Sequence, residues 1–260
     1  INDQAPGPFE YNPENNTLTN NTEVHLAPQF INQTTGNGST WQVADLNSGA
    51  TSSYPGNDMH LLVGDTIYFD AIDANTGHEL WAHDTSNHST WQVADLNSGS
   101  SSSYPGKYMS VLIGDTIYFS ATDGSTGSEL WAHDTSNLST WQVADLNSGS
   151  PSSIPGNDLH LLVGDTIYFS ADDGSTGTEL WAHDTSNHST WQVADIESGS
   201  GGSRPGTYIH LLVGETLYFS ATGGSTGHEL WAHRPSSINY QTNTGGTVTS
   251  WTINASLPSG

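Results

Sequence analysis

One unit of fifty residues, written four times in succession without insertion or deletion, constrains this chain more than any local signal. The segment STWQVADLNSG begins at Ser39, Ser89 and Ser139, and its variant STWQVADIESG begins at Ser189. Each is followed by Pro-Gly (Pro55, Pro105, Pro155, Pro205), by LLVGDTIYF or a near copy, and by ELWAH. The repeats therefore occupy residues 39–88, 89–138, 139–188 and 189–238. A unit this small cannot bury its apolar surface alone and must stack on its neighbours.

Each unit reads as four strands. In the first they are residues 59–63, 66–71, 79–83 and 90–94, rich in β-branched and aromatic types. Gly64-Asp65 is a two-residue hairpin turn, residues 73–77 form a loop, and residues 84–89 form a second turn. Residues 98–106 then carry the chain to the next unit, and no stretch shows a helical period. Four short antiparallel strands repeated in tandem make the blade of a β-propeller. A blade packs on both faces, which explains the near-continuous apolar run HLLVGDTIYF and makes Trp81 and Trp91 filler between blades. The competing all-β fold, a parallel β-helix, has shorter rungs and lacks the Gly-Asp hairpin.

The ends decide the blade number. Phe30 stands eleven residues before Trp41, as Leu80 stands eleven before Trp91, so a degenerate blade precedes the first repeat. Residues 17–19 and 22–26, joined by Asn20-Asn21, read as its hairpin, and residues 249–253 as the missing fourth strand after Trp231. That gives five blades over residues 15–254, with 1–14 a linker and 255–260 a tail. The alternative is four blades, with residues 40–44 closing the ring against the strand at Trp231.

Composition narrows the function. There are 27 Asp plus Glu against 3 Lys plus Arg, for a net charge of −24, yet only 12% of residues are charged. Nucleic-acid binding and adhesion to anionic membranes both need clustered cations, so neither is expected. No run approaches the length of a membrane-spanning helix, so no membrane insertion is expected. Cysteine is absent, which removes disulfides and thiolate chemistry. A chain this acidic repels itself in dilute buffer. Added salt should raise its melting temperature up to about 0.15 M, where the screening length has fallen to about 8 Å. A melting temperature insensitive to salt in scanning calorimetry would refute this.

The run GDTIYFSATDGSTGSELWAHD (114–134) resembles the ELWxxDGT repeat of large secreted or surface proteins of bacteria and archaea. Asp84-Thr85-Ser86 departs from the family's Asp-Gly-Thr. INDQAP at the start, residues 11–26, and GGTVTSWTINASLPSG at 245–260 resemble parts of immunoglobulin-like modules from such proteins. Together with the opening Ile1, the resemblance implies an excised, monomeric piece of a long extracellular or cell-surface protein from a marine or saline microbe. Its partners would be other modules of that protein, glycans or surface proteins.

The loop between the second and third strands of the first three units carries Asp-x-Asn/Ser-x-Gly-x-Glu, with Gly223 replacing the Asp in the fourth: Asp73, Asn75, Glu79; Asp123, Ser125, Glu129; Asp173, Ser175, Glu179. Alternating oxygen ligands suit a hard cation, with calcium the candidate and no cofactor required, although the same residues are what a tight loop uses anyway. His60, His160 and His210 open the innermost strands, where three imidazoles could meet a divalent metal or a ligand. His83, His133, His183 and His233 end the third strands and are expected only to hydrogen-bond there. The copies differ at Tyr54, Tyr104, Ile154 and Arg204, at 57–58, 107–108 (with Tyr108), 157–158 and 207–208 (with Tyr208), and at His78, Ser128, Thr178 and His228. These positions fall on one loop face, where the tyrosines could stack on sugars. Asn-x-Ser/Thr sequons recur, including Asn87, Asn137 and Asn187.

Three functions remain. A non-catalytic structural or adhesive module comes first, a carbohydrate-binding propeller with several equivalent sites second, and a polysaccharide hydrolase third. Catalysis needs an asymmetric constellation. Nearly every carboxylate here recurs in equivalent settings, and none reads as uniquely placed.

Overall fold

The computed structural model describes residues 39–235 and two short strands before them. These are β1 (Glu10–Asn12) and β2 (Thr17–Thr19), an antiparallel pair with Glu10 opposite Thr19. They belong to a compact unit of Ile1–Gln42, and a second unit covers Val43–Gly260. Thr17–Thr19 therefore pairs backwards, with part of the segment read as linker. The partner expected for it at 22–26 lies outside the described residues.

The second unit is all-β and built of β-propeller blades. The first sheet contains β3 (His60–Val63), β4 (Thr66–Asp73), β5 (Gly77–Asp84) and β6 (Ser89–Ala94), hydrogen-bonded in that order. The second contains β7 (Ser110–Ile113), β8 (Thr116–Thr122), β9 (Ser128–Asp134) and β10 (Ser139–Ala144). The third contains β11 (His160–Val163), β12 (Thr166–Asp172), β13 (Thr178–Asp184) and β14 (Ser189–Ala194). The fourth holds β15 (His210–Val213), β16 (Thr216–Thr222) and β17 (His228–His233) among the described residues.

The register shows why the sequence folds this way. Val63 opposes Thr66, so Gly64-Asp65 alone makes the turn, with Gly64 at φ +59°, where a side chain would be strained. At the outer strand Leu80 pairs with Ala94 and Trp81 with Gln92, a β-bulge at Val93 that bends the edge.

Each blade packs one face on the next. Met59, Tyr68, Leu80 and Ala82 of the first sheet form a core with Ile117, Phe119, Ala121 and Trp131 of the second. Met109, Tyr118, Leu130 and Ala132 then meet Ile167, Phe169 and Ala171. Leu159, Val163, Tyr168, Leu180 and Ala182 meet Leu217, Phe219 and Ala221. Trp91, Trp141 and Trp181 pack at the margins of these clusters, as filler between blades. Each fully buried Phe contributes about 2–3 kcal/mol from removal of apolar surface alone.

The expected strand at 40–44 is absent: residues 39–45 carry none. In the other copies this segment folds back on ELWAHD through the Asp84-type turn. Here QFINQTTGNG precedes it, so that nucleating hairpin is missing from the sequence. The closing strand expected at 249–253 and the rest of the degenerate blade lie outside the described residues.

Candidate functional site

Two ends of the blades carry different loops. A Cβ on Gly77 would stand 2.5 Å from the Ser101 carbonyl oxygen, and one on Gly127 2.2 Å from that of Pro151. The β4–β5 and β8–β9 loops thus lie against the crossovers leaving their own sheets. At the opposite end Thr85 donates to the Asp65 carbonyl from its amide (2.9 Å) and hydroxyl (2.8 Å). The inferred sharing of one face by hairpin loop and crossover is therefore what the chain adopts.

A buried glutamate ties each crossover to its blade. Glu79 is fully buried, and its carboxylate accepts from the Leu96 amide (2.9 Å), the Ser103 amide (2.8 Å) and the Ser103 hydroxyl (2.6 Å). Glu129 and Glu179 repeat this with Leu146 and Ser153, and with Ile196 and Ser203. Desolvation pushes Glu79 up to about 7 against the pull of these hydrogen bonds, and Glu129 and Glu179 shift the same way.

The loop aspartates serve other partners. Asp73 Oδ1 accepts from the amides of Asn75 and Thr76 and from the Thr76 hydroxyl. Both oxygens of Asp123 are engaged by Ser125 and Thr126, and both of Asp173 by Ser175 and Thr176. Desolvation opposes ionisation of Asp123 and Asp173, yet these donors hold both at about 2. The sets Asp73–Asn75–Glu79, Asp123–Ser125–Glu129 and Asp173–Ser175–Glu179 are thus divided: the Asp caps its own loop, and the Glu anchors the crossover. The spacing that suggested cation ligands is explained by turn and anchor chemistry.

The histidines divide likewise. His83, His133 and His183 hold Thr90, Thr140 and Thr190 through Nδ1, each at 2.8 Å. His133, His183 and His233 also stack on Tyr68, Tyr118 and Tyr168 of the preceding blade, with centroids 5.3–5.4 Å apart. Burial drives His183 down to about 4 and lowers His133 and His233. His60, His160 and His210 form no three-imidazole cluster: among the described residues the one cluster of three or more ligating groups lies elsewhere, although burial and then the nearby His210 lower His160. His160 and His210 instead approach the carbonyls of Gly156 and Gly206, at 3.4 and 3.3 Å.

That one cluster is Asp58, Asp70 and His78, with ligating atoms within 4.8 Å of one another. Asp70 is fully buried, and its Oδ1 accepts from the amides of Asp58 (3.0 Å) and Met59 (2.7 Å). In the other blades the hydroxyls of Ser120, Ser170 and Ser220 receive these amides. Asp70 therefore replaces a serine acceptor and adds a second oxygen, Oδ2, which takes Nε2–H of buried His78. Both inner ligand atoms are spent on each other, so a metal ion would have to part the pair.

Asp70 was missed in the sequence. The signal was present as the column Asp70, Ser120, Ser170, Ser220, where a charge enters an otherwise uncharged position. The carboxylates are thus not all equivalent. His78, expected among the variable surface positions, is buried, and its ring meets Tyr104 edge-on at 5.4 Å.

Of the other variable residues, Tyr54, Tyr104, Ile154, Arg204 and Tyr208 are exposed. Tyr54, Tyr104, Ile154 and Arg204 sit at φ +46°, +50°, +49° and +49°, a left-handed conformation uncommon for non-glycine residues and each just before a proline. The Ser103 and Tyr104 amides donate to the His78 carbonyl, and those of Ser153 and Ile154 to Ser128, holding the tips in place. Tyr54 is 61% and Tyr104 45% exposed. Lys107 Nζ stands 5.2 Å from the Tyr104 ring centroid and 5.3 Å from that of half-buried Tyr108. Tyr208, 75% exposed, meets His228 edge-on at 4.9 Å. The Asn87, Asn137 and Asn187 amides lie on the other end and donate to Asp84, Asp134 and Asp184.

No family model matches this chain, and no curated protein matches it. Among solved structures, a puromycin hydrolase S511A mutant complexed with PGG is 13% identical, covering 66% of this chain and 25% of its own, with a TM-score of 0.44. BamB from Moraxella catarrhalis is 16% identical over 67% of this chain and 47% of its own, at 0.36. A putative TolB from Agrobacterium tumefaciens is 12% identical over 79% and 67%, at 0.41. The chain thus spans about a quarter of the length of the hydrolase and about half that of BamB.

Proposed function

We propose that this chain is a non-catalytic adhesive module of a large extracellular or cell-surface protein, with the crossover face as its contact surface. One observation carries the reading: four loop tips share one strained backbone conformation and present two tyrosines, an isoleucine and an arginine, and the last three tips are held by the same tip-amide bond and buried glutamate. Tyr54, Tyr104, Ile154 and Arg204 occupy one backbone conformation on a common scaffold. Strain of this kind, about 1–3 kcal/mol per residue, persists only where the surroundings enforce it.

The buried acids support the same reading. A glutamate at about 7 has the character of a general acid. Glu79, however, is fully buried and recurs as Glu129 and Glu179, with its oxygens turned to backbone amides and a serine. The resemblance to ELWxxDGT repeats supports a surface location, and calcium has no required part.

A carbohydrate ligand is the second reading, favoured by the exposed rings of Tyr54, Tyr104 and Tyr208. Weak equivalent sites would gain by avidity. Binding should be measured on arrays of surface polysaccharides and glycoproteins, with Tyr54→Ala/Tyr104→Ala/Arg204→Ala as control. The variant should lose binding at least tenfold with an unchanged melting temperature. Binding that survives the substitutions, or release of hydrolysis products from any array sugar, would overturn the proposal.

A further inference from the structure

Among the described residues the two ends of the blade series are open, and each is shaped for the other. In the three internal interfaces the covered face is nearly dry: Met59, Met109 and Leu159 are at most 1% exposed, and Tyr68, Tyr118 and Tyr168 at most 4%. Leu80, Leu130 and Leu180 are fully buried. On the fourth sheet the equivalent residues are Ile209 at 40%, Tyr218 at 36% and Leu230 at 67%, with Val213 at 61% where Val163 is at 7%. The face that covers each of these belongs to the following blade, in the form Ile117–Phe119–Ala121 or its copies.

The first sheet carries that covering face, and among the described residues no blade precedes it. Ile67 is 36% exposed against at most 1% for Ile117, Ile167 and Leu217, and Phe69 keeps 9%. Beside it lies a cavity of about 480 Å³ lined by Val43, Leu46, Ile67, Phe69 and His83. The stacking ledger has the same gap. His133, His183 and His233 rest on Tyr68, Tyr118 and Tyr168, which leaves Tyr218 and His83 as the matching tyrosine and histidine. Residues 1–38 and 236–260 contain neither a TIYFxA nor an ELWAH segment.

We propose that copies of this chain associate head to tail, the open face of the fourth sheet seating on the first sheet of a second copy. The contact would continue the internal series, with Tyr218 of one copy against His83 of the next. It is heterologous, so the assembly closes into a ring or grows as a chain. This differs from the monomer expected from the sequence. The net charge of −24 opposes association, while the contacting residues are neutral and apolar, so salt strengthens the assembly.

The test uses two blocked chains. Leu230→Glu/Val213→Glu closes the tail face and Ile67→Glu the head face, with Val43→Glu as a second head-blocked chain should Ile67→Glu fail to fold. The side chains replaced are exposed in one copy, so melting temperatures should hold. In sedimentation equilibrium at 0.15 M salt the parent should exceed the 27.7 kDa of one chain as concentration rises. Each blocked chain alone should stay monomeric, and a mixture of the two should give a species of twice the monomer mass and nothing larger. A parent that remains monomeric at every concentration, as it would if its own terminal segments covered these faces, overturns the proposal. So does a blocked chain that dimerises by itself.

Discussion

Replacing His78 by alanine should destabilise the chain by about 3–5 kcal/mol, because it strands the fully buried Asp70 carboxylate without its partner. The repeat itself supplies the rescue. Asp70→Ser/His78→Ser rewrites the first blade as the second, where Ser120 takes the two loop amides and Ser128 stands in place of the histidine. Removing both partners of a buried pair is often close to neutral, so the double variant should lie within about 1 kcal/mol of the parent. Asp70→Ser alone leaves the His78 ring nitrogen buried and unsatisfied, and should fall between, at about 1–3 kcal/mol. With His78→Ser as the second single variant, the parent, both serine singles and the double form a double-mutant cycle readable by urea unfolding. A double variant no more stable than His78→Ala would show that the pair does more than replace serine wiring. A metal dependence of the parent's stability, absent from the double variant, would show what that is.

The blade was legible because its signals agree at every level. The Gly64-Asp65 turn, the β-branched run of β4 and the alternation of Ile67, Phe69 and Ala71 against Tyr68 each point to one register, and that register forms. The site was less legible because a loop's own needs mimic ligand chemistry. Asp73, Asn75 and Glu79 have the spacing of oxygen ligands, but Asx-turn amides claim the first and a crossover serine claims the last. Asp70 was hidden for a different reason. Near-identical copies direct attention to residues that recur, whereas the informative position is the one where a single copy breaks the column. Residues 39–44 show the remaining limit: the same six letters make a strand in three copies and none in the first, because an outer strand is specified by its partner as much as by itself.

Dependence on a partner also sets the second large effect, which compares one residue type in two copies. Phe119→Ala should cost about 3–5 kcal/mol, since the ring is fully buried between two blades and its loss leaves a cavity that packed sheets cannot fill. Phe69→Ala changes the same position of the same motif, but its face looks onto the open cavity at the head of the series. Only the transfer of apolar surface is lost there, about 1.5–3 kcal/mol, because no sealed void is created. Phe119 also lies in the contact that couples the first blade to the second, and in a repeat array neighbouring contacts carry the cooperativity. Phe119→Ala should therefore split unfolding into two transitions, whereas Phe69→Ala should leave one. Calorimetry in dilute solution reads both the losses and the number of transitions. Equal losses with a single transition in each variant would mean that the head face is as well covered as the internal ones. If that equality appears only at high protein concentration, the covering surface comes from a second copy.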